Sequence, residues 1–116
     1  MAATFAVRVG EFEGPIELLL ELVEERKMPI NQVSLATVAD SFIEHIKKLP
    51  QTDMNILGNF VVVASTLILI KSISLLPTLA VTGEEEEQIG DLERRLKLYQ
   101  VIRQVLPLLK ELLSGP

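Results

Sequence analysis

Residues 54–70, MNILGNFVVVASTLILI, contain no charged side chain, and this stretch constrains the fold more than any other. Its apolar residues recur at alternating spacings of three and four, which predicts a helix from Asp53 to Leu76. One stripe consists of Ile56, Phe60, Val63, Leu67 and Ile70. A second stripe consists of Leu57, Val61, Ala64, Ile68 and Leu75. Because apolar side chains cover most of the circumference, we expect this helix to be buried nearly all round.

Three interpretations of this helix are open, and the first is a small membrane-associated protein that uses residues 54–76 as a span or hairpin. A membrane span needs about 20 apolar residues, so the length is marginal, and polar residues such as Asn55 and Asn59 interrupt the stretch without a basic flank before it. The helix could also be wholly internal to the domain, or shared between its own core and another protein. A three-helix domain needs an apolar stripe only about 100° wide from each helix. Leaving several aliphatic side chains in water would forfeit roughly 1.5 to 3 kcal/mol each, so the pattern favours the shared helix.

Two shorter helices precede this one. Gly14 supplies a turn and Pro15 suits a first helical position, so we predict a helix that runs to about Lys27. The next has apolar residues at helical spacing from Leu35 to Ile46, with Asn31 or Ser34 as its cap and Pro50 at its end. Before both, residues 4–9 (TFAVRV) alternate as a short strand would.

The C-terminal third changes character after residue 78. Residues 79–90 contain two glycines and four successive glutamates, Glu84–Glu87, which is typical of a solvated linker. A last helix is predicted to start near Asp91 and to be kinked or ended near Leu106 by Pro107. The fold class is therefore mainly α, with about three packed helices after a short strand, then an acidic linker and a further helix.

Composition excludes several functions. The 116 residues include no cysteine and one histidine, His45, which lies off the apolar face of the second helix and is predicted to be a solvated surface residue. No catalytic constellation, nucleotide-binding motif or metal-ligand spacing is present, so we predict no enzyme activity and no cofactor. The formal net charge of −5, with scattered Lys and Arg, disfavours direct nucleic-acid binding. Without cysteines or a secretory signal pattern, the cytoplasm is the simplest location.

Three motifs in fixed order carry a resemblance to a known family. FEGPIELLLELV with KMPINQVSLATVADSFIEHI resembles the opening of the segregation and condensation protein A family, the bacterial and archaeal kleisins. The third helix, from Phe60 to Pro77, resembles that family's Ala-Ala-Thr-Leu, Ile-Lys-Ser and Leu-Leu-Pro succession. The acidic run and ERRLKLY agree in order and spacing. The resemblance covers about residues 5–105.

The resemblance implies a non-enzymatic subunit of an SMC–kleisin complex in chromosome condensation and segregation. It implies an N-terminal helical domain at residues 1–78 that binds the coiled-coil neck beside an SMC ATPase head. The linker at 79–90 then leads to residues 91–116, the start of a middle region embraced by a dimer of segregation and condensation protein B (ScpB). DNA would be reached only through the complex, at the nucleoid, and no membrane is involved.

Site residues follow from the resemblance position by position. The residues expected to face the SMC neck are Phe60, Val63, Ala64, Leu67, Ile70 and Lys71. Those expected to contact ScpB are Leu92, Leu96, Tyr99 and Ile102. Family members commonly have an acidic residue where this chain has Asn59 and a basic or polar one at Ile73, so the polarity of the interface is expected to differ. Full-length members continue into a C-terminal winged-helix domain, so a chain ending at Pro116 is expected to be a fragment or a shortened member.

Overall fold

The computed structural model describes residues 14–50 and 53–115. Within these ranges the chain forms four helices and no strand: α1 (Pro15–Glu25), α2 (Gln32–Lys47), α3 (Met54–Leu75) and α4 (Gly83–Leu113). The prediction of a mainly α fold is confirmed. The predicted strand at 4–9 lies outside the described residues.

Local signals fix both ends of α1. Pro15 occupies the first turn, where its missing N–H costs no hydrogen bond. At the other end the chain turns through Lys27, whose φ of 55° is left-handed. The N–H of Lys27 donates to the Glu24 carbonyl (2.9 Å), and the N–H of Met28 donates to the Val23 carbonyl (3.2 Å). This pair of bonds is a Schellman motif, which satisfies carbonyls that the end of a helix leaves unpaired.

The caps of α2 and α3 are both side-chain carbonyl or carboxylate oxygens. Asn31 Oδ1 accepts from the backbone N–H of Ser34 at 2.9 Å, which selects Asn31 over Ser34 as the cap of α2. Asp53 Oδ1 accepts from the N–H groups of Asn55 (3.0 Å) and Ile56 (3.3 Å) at the start of α3. Each cap satisfies backbone donors that the first turn cannot pair internally.

One apolar core joins all four helices, and α2 and α3 make the most extensive contact. The rings of Phe42 in α2 and Phe60 in α3 stack with centroids 6.1 Å apart. The helix α1 packs against all three others. Its buried residues are Pro15, Leu18, Leu19, Leu20, Leu22 and Val23. This arc fills the space between α2, α3 and α4, so the leucine run that follows Pro15 supplies the centre of the core.

The prediction of an acidic linker through residue 90 is wrong, because α4 begins at Gly83. Thr82 Oγ1 accepts from the N–H of Glu85 (3.1 Å), and Glu85 Oε1 accepts from the N–H of Thr82 (3.0 Å). This reciprocal pair is a capping box, and the glutamates that follow carry negative charge where the helix dipole favours it. The connection between α3 and α4 is therefore residues 76–82 alone.

Pro107 also does not end α4, which continues to Leu113. A proline inside a helix removes one backbone hydrogen bond, here the one that would reach the carbonyl of Arg103. The side chains around it are exposed, so water can satisfy that carbonyl.

The first half of α4 contributes Ile89, Leu92 and Leu96 to the core, and the core therefore extends beyond the predicted domain end at residue 78.

Two neighbouring residues of α3 test this core. Leu67 is fully buried and Ile68 is 51% exposed. We expect Leu67→Ala to lower the free energy of unfolding by about 2 to 5 kcal/mol, because it leaves a cavity among packed side chains. Ile68→Ala should change it by less than about 0.5 kcal/mol. Chemical denaturation followed by circular dichroism measures both, and equal losses would contradict the assignment of inner and outer sides.

The start of α4 is tested by its cap. We expect Thr82→Ala to lower the free energy of unfolding by about 1 kcal/mol, because the N–H of Glu85 loses its acceptor. Thr66→Ala is the matched control, since the Thr66 hydroxyl donates to a carbonyl within α3 and caps nothing. If Thr82→Ala behaved like the control in thermal unfolding, residues 83–90 would not form a capped helix in solution.

Candidate interaction surface

The structure places five of the six residues predicted to face the SMC neck inside the chain's own core. These five are Phe60, Val63, Ala64, Leu67 and Ile70. They lie on one side of α3, which we call the inner face, and this face packs against the other helices. The prediction rested on the family's motif, and the motif residues are the ones that hold the bundle together. The inner face is not the side of α3 that a partner can reach in this structure.

The sixth residue, Lys71, lies at the border between the core and solvent. Its Nζ is 2.7 Å from Asp40 Oδ2, so the pair ties α3 to α2. The Lys71 side chain is 37% exposed and that of Asp40 is 75% exposed. Exposed pairs of this kind contribute at most about 1 kcal/mol, so Lys71 aligns the two helices more than it stabilises them.

The opposite side of α3 is solvent-facing and carries no charged side chain. Large residues recur on it every seven positions: Met54, Val61, Ile68 and Leu75. Small residues recur between them every seven positions: Gly58, Ser65 and Ser72. We call these seven residues the outer seam. Their alternating spacing of four and three is the 3.5-residue repeat by which one helix packs along another in a coiled coil.

The polar groups of the outer seam are already hydrogen-bonded within the helix. The Ser65 hydroxyl donates to the Val61 carbonyl (3.0 Å), and the Ser72 hydroxyl donates to the Ile68 carbonyl (2.8 Å). Burying these serines against a partner would therefore leave no donor unpaired. The outer seam is a narrow surface suited to an apolar helix.

The residues predicted to contact ScpB are divided along α4. Leu92 and Leu96 are buried in the core, and Tyr99 is half-buried at its edge. Ile102 is 41% exposed. The division falls where Glu24 of α1 holds α4: Glu24 lies 3.3 Å from Gln100 Nε2 and 3.4 Å from Arg103 Nη1. Of the four, Ile102 is therefore the one most open to a partner.

From Val101 onward, α4 carries many large apolar side chains in solvent. We call Val101–Leu113 the distal half of α4. Its exposed large apolar residues are Val101, Ile102, Val105, Leu106, Leu108, Leu109, Leu112 and Leu113. A contiguous apolar surface of this kind marks an interaction site more often than a free surface. The periodicity of the sequence predicts α4, but only the packing shows that its distal half lies outside the core.

Two polar features that the sequence singled out, His45 and the acidic run, lie apart in the described part of the chain. No group of three or more His, Asp or Glu within it could hold a metal ion. His45, predicted to be solvated, is half-buried, and its Nδ1–H donates to the Ser41 carbonyl at 2.7 Å. That bond ties the ring to its own helix. The glutamates of the acidic run lie in the first turns of α4.

By length and composition, α3 is the one helix among the described residues that could cross a membrane, with a mean hydropathy of 2.0. This observation is weak by itself, because the core helix of a water-soluble bundle passes the same test. Here the inner face of α3 is occupied by contacts with the other three helices.

Comparison with known proteins identifies the class and then the family. The described residues form a small helical bundle with two exposed apolar helix faces. The family model described as segregation and condensation protein ScpA matches residues 22–111. The chain belongs to this family, and the resemblance noted in its sequence is confirmed.

Curated relatives agree with the family match. Proteins named segregation and condensation protein A from Halothermothrix orenii and Myxococcus xanthus are 36% identical to this chain, over 107 and 108 residues. These matches cover 92% and 83% of this chain, but 44% and 37% of the relatives. One from Streptococcus uberis is 35% identical over 100 residues, covering 85% of this chain and 43% of the relative. The chain thus spans less than half the length of these relatives. No solved structure matches it significantly.

Proposed function

We propose that this chain is the N-terminal part of a kleisin that acts in chromosome condensation and segregation. In this proposal it binds the neck coiled coil beside the ATPase head of an SMC protein, and it also binds an ScpB dimer. It works without catalysis, in the cytoplasm at the nucleoid, and it reaches DNA only through the complex. Family membership supports the process, and the two exposed apolar faces support the partners.

The outer seam of α3 is the observation that carries the SMC assignment. A coiled coil presents side chains at a 3.5-residue repeat, and the outer seam repeats at the same spacing over three heptads. A straight helix drifts only about 20° per heptad from that repeat, so contact can continue along most of α3. We therefore propose that the SMC neck packs on the outer seam, while the motif residues of the inner face hold it in position.

The alternation of large and small side chains along the outer seam also determines how closely a partner helix can pack on it. Val61, Ile68 and Leu75 project from the seam, whereas Gly58, Ser65 and Ser72 leave hollows between them. Side chains of a partner helix can enter those hollows, which brings the two backbones closer than two rows of leucine would allow. Burying each exposed aliphatic residue would contribute roughly 1.5 to 3 kcal/mol before the costs of association.

The distal half of α4 is proposed to bind ScpB. Apart from the Arg103–Glu24 ion pair near its start, its large apolar side chains are exposed, while the first half of α4 stays packed in the core. Ile102 is the one residue of the family-based ScpB set that lies in this half. We extend the set to Val105, Leu109 and Leu112, which continue its face at spacings of three and four. The continuous helix α4 would then hold the ScpB site rigidly to the bundle that carries the SMC site on α3.

A membrane span is the alternative interpretation of α3, and the packing disfavours it. Inserting α3 into lipid would separate Phe60 from Phe42, or it would draw α2 with its Asp40–Lys71 pair into hydrocarbon. Charged groups at the bilayer centre cost several kcal/mol.

Charge substitutions on the two faces test the proposal. We expect Ile68→Glu to abolish co-elution with an SMC head that carries its proximal coiled coil, while ScpB binding persists. A carboxylate desolvated in such a contact costs several kcal/mol, which is about a hundredfold or more in affinity. Leu109→Glu should give the reverse result, losing ScpB and keeping SMC.

Val33→Glu is the matched control, because Val33 is 74% exposed on α2 and belongs to neither face. It should bind both partners normally. Circular dichroism checks that all three variants stay folded, which Leu67→Glu would not. Normal SMC binding by Ile68→Glu would sink the assignment of the outer seam.

A further inference from the structure

The exposed apolar face of α4 lies on the side of the helix that is turned away from the core. Successive residues of an α-helix are rotated by about 100°, so Leu98 lies about 160° around α4 from Leu96, which is buried. Leu98 is 62% exposed, and it continues the apolar face of the distal half by one turn. Arg103, seven residues after Leu96, lies on the core side, where it contacts Glu24. A partner can therefore reach the apolar face of α4 without displacing the core.

The residues at the centre of this face follow a heptad repeat. Their spacing alternates between three and four over two heptads, and all of them are exposed. We call these five residues the α4 stripe: Leu98, Val101, Val105, Leu108 and Leu112. A repeat of this kind is the pattern by which two helices pack side by side, and burial of its aliphatic side chains favours the pairing.

A row of polar side chains flanks the α4 stripe on one side. It consists of Lys97, Gln104 and Glu111, which recur every seven residues and are exposed. The two charges are opposite, and each lies seven residues from Gln104. Reversing the direction of this row exchanges the positions of the positive and the negative charge. The row is therefore complementary to a second copy of itself that runs in the opposite direction.

Two copies of the chain that pack antiparallel along the α4 stripe would use this complementarity. When Gln104 lies beside Gln104 of the second copy, Lys97 of each copy lies beside Glu111 of the other. The same alignment packs Leu98 on Leu108, and Val101 on Val105, of the opposite copy.

A parallel pair would not bring these charges together. In a parallel coiled coil the flanking row of one helix faces the row on the other flank of its partner. On α4 that other flank carries Ile102 and Leu109, which are apolar. The placement of Lys97 and Glu111 therefore favours the antiparallel pair.

The other polar groups of the distal half are compatible with such a pair. Arg103 and Lys110 follow Leu96 at intervals of seven, so they lie on the core side of α4 and away from a second copy. The Arg103 carbonyl, to which Pro107 cannot donate a hydrogen bond, lies on that side as well. No backbone group is therefore left unpaired between the two helices.

We propose that two copies of this chain pair antiparallel along the α4 stripe, with their register fixed by Lys97 and Glu111 of opposite copies. This inference goes beyond the proposed function, and it concerns the chain alone. Because the distal half of α4 is also proposed to bind ScpB, a second copy would cover that site until ScpB displaces it.

Sedimentation equilibrium of the chain, without SMC or ScpB, measures the pairing. At roughly 100 μM we expect a species of twice the 12.9 kDa of one chain, which dissociates on dilution. Lys97→Glu and Glu111→Lys should each weaken the dimer about tenfold. Each substitution replaces two attractive contacts of the symmetric pair by two repulsive ones.

An equimolar mixture of the two variants tests the register directly. In a mixed pair, the carboxylate introduced at position 97 meets the ammonium introduced at position 111, and the native Glu111 meets the native Lys97. We expect the mixture to dimerise within about twofold of the native affinity, because the pairs of opposite charge are restored. Misfolding of either variant could not give this recovery.

Two further variants serve as controls. Lys110→Glu makes the same change of charge as Lys97→Glu on the side of α4 away from the stripe, so it should leave the dimer unchanged. Val105→Glu places a carboxylate in the centre of the stripe and should abolish the dimer, while its circular dichroism stays native.

Three results would overturn the proposal. These are a chain that remains monomeric at roughly 100 μM, single variants at positions 97 and 111 that dimerise as well as Lys110→Glu, and a mixture that does not regain affinity. The first would leave the apolar face of α4 to a different protein, and the other two would exclude the antiparallel register.

Discussion

The contact of the inner face of α3 with α1 and α2 is the interaction on which the rest of the structure depends. Phe60 stacks on Phe42, Leu67 and Ile70 are buried beside it, and the α1 leucines close the core from the other side. With no cysteine in the chain and no cluster of metal ligands among the described residues, aliphatic packing is what holds these helices together. The orientation of α3 is therefore fixed by the same side chains that give the core its stability.

That orientation decides which surface is left for a partner. Because the five residues of the inner face pack in the core, the outer seam faces solvent. Its alternating large and small residues pack against no other helix among the described residues. A similar division occurs along α4, where Leu92 and Leu96 serve the core and the distal half does not. In both helices, the residues that pack in the core differ from the exposed residues that are proposed to bind. A substitution on one face can therefore impair binding without unfolding the bundle.

Much of the fold follows from the sequence. Helical spacing, Pro15 and Pro50 delimit the first two helices, and they form where predicted. The start of α4 was missed because four glutamates suggested a solvated loop. Thr82 and Glu85 carry the capping-box spacing that could have revealed it, since acidic residues also favour the first turn of a helix.

The division of α3 into faces could not be predicted in the same way. Its apolar residues surround the helix, so periodicity predicts more than one buried face without showing which one packs in the chain's own core. The family motif pointed to Phe60, Val63 and Leu67, and these pack inside. Only the positions of α1, α2 and α4 separate the inner face from the outer seam. The seven-residue recurrence from Met54 to Leu75 is visible in the sequence. It indicates a candidate binding surface only once the structure shows that these positions are exposed.

The most direct test of this account is the reactivity of single cysteines along α3, with and without the SMC head and neck fragment. Thiols placed at Val61, Ser65 and Ile68 should react readily in the free chain and slow markedly in the complex. A thiol at Val62, on the flank toward α4, should react at the same rate in both. Protection of Val62 with continued reactivity at Val61 and Ile68 would contradict the claim that the outer seam is the surface for the partner.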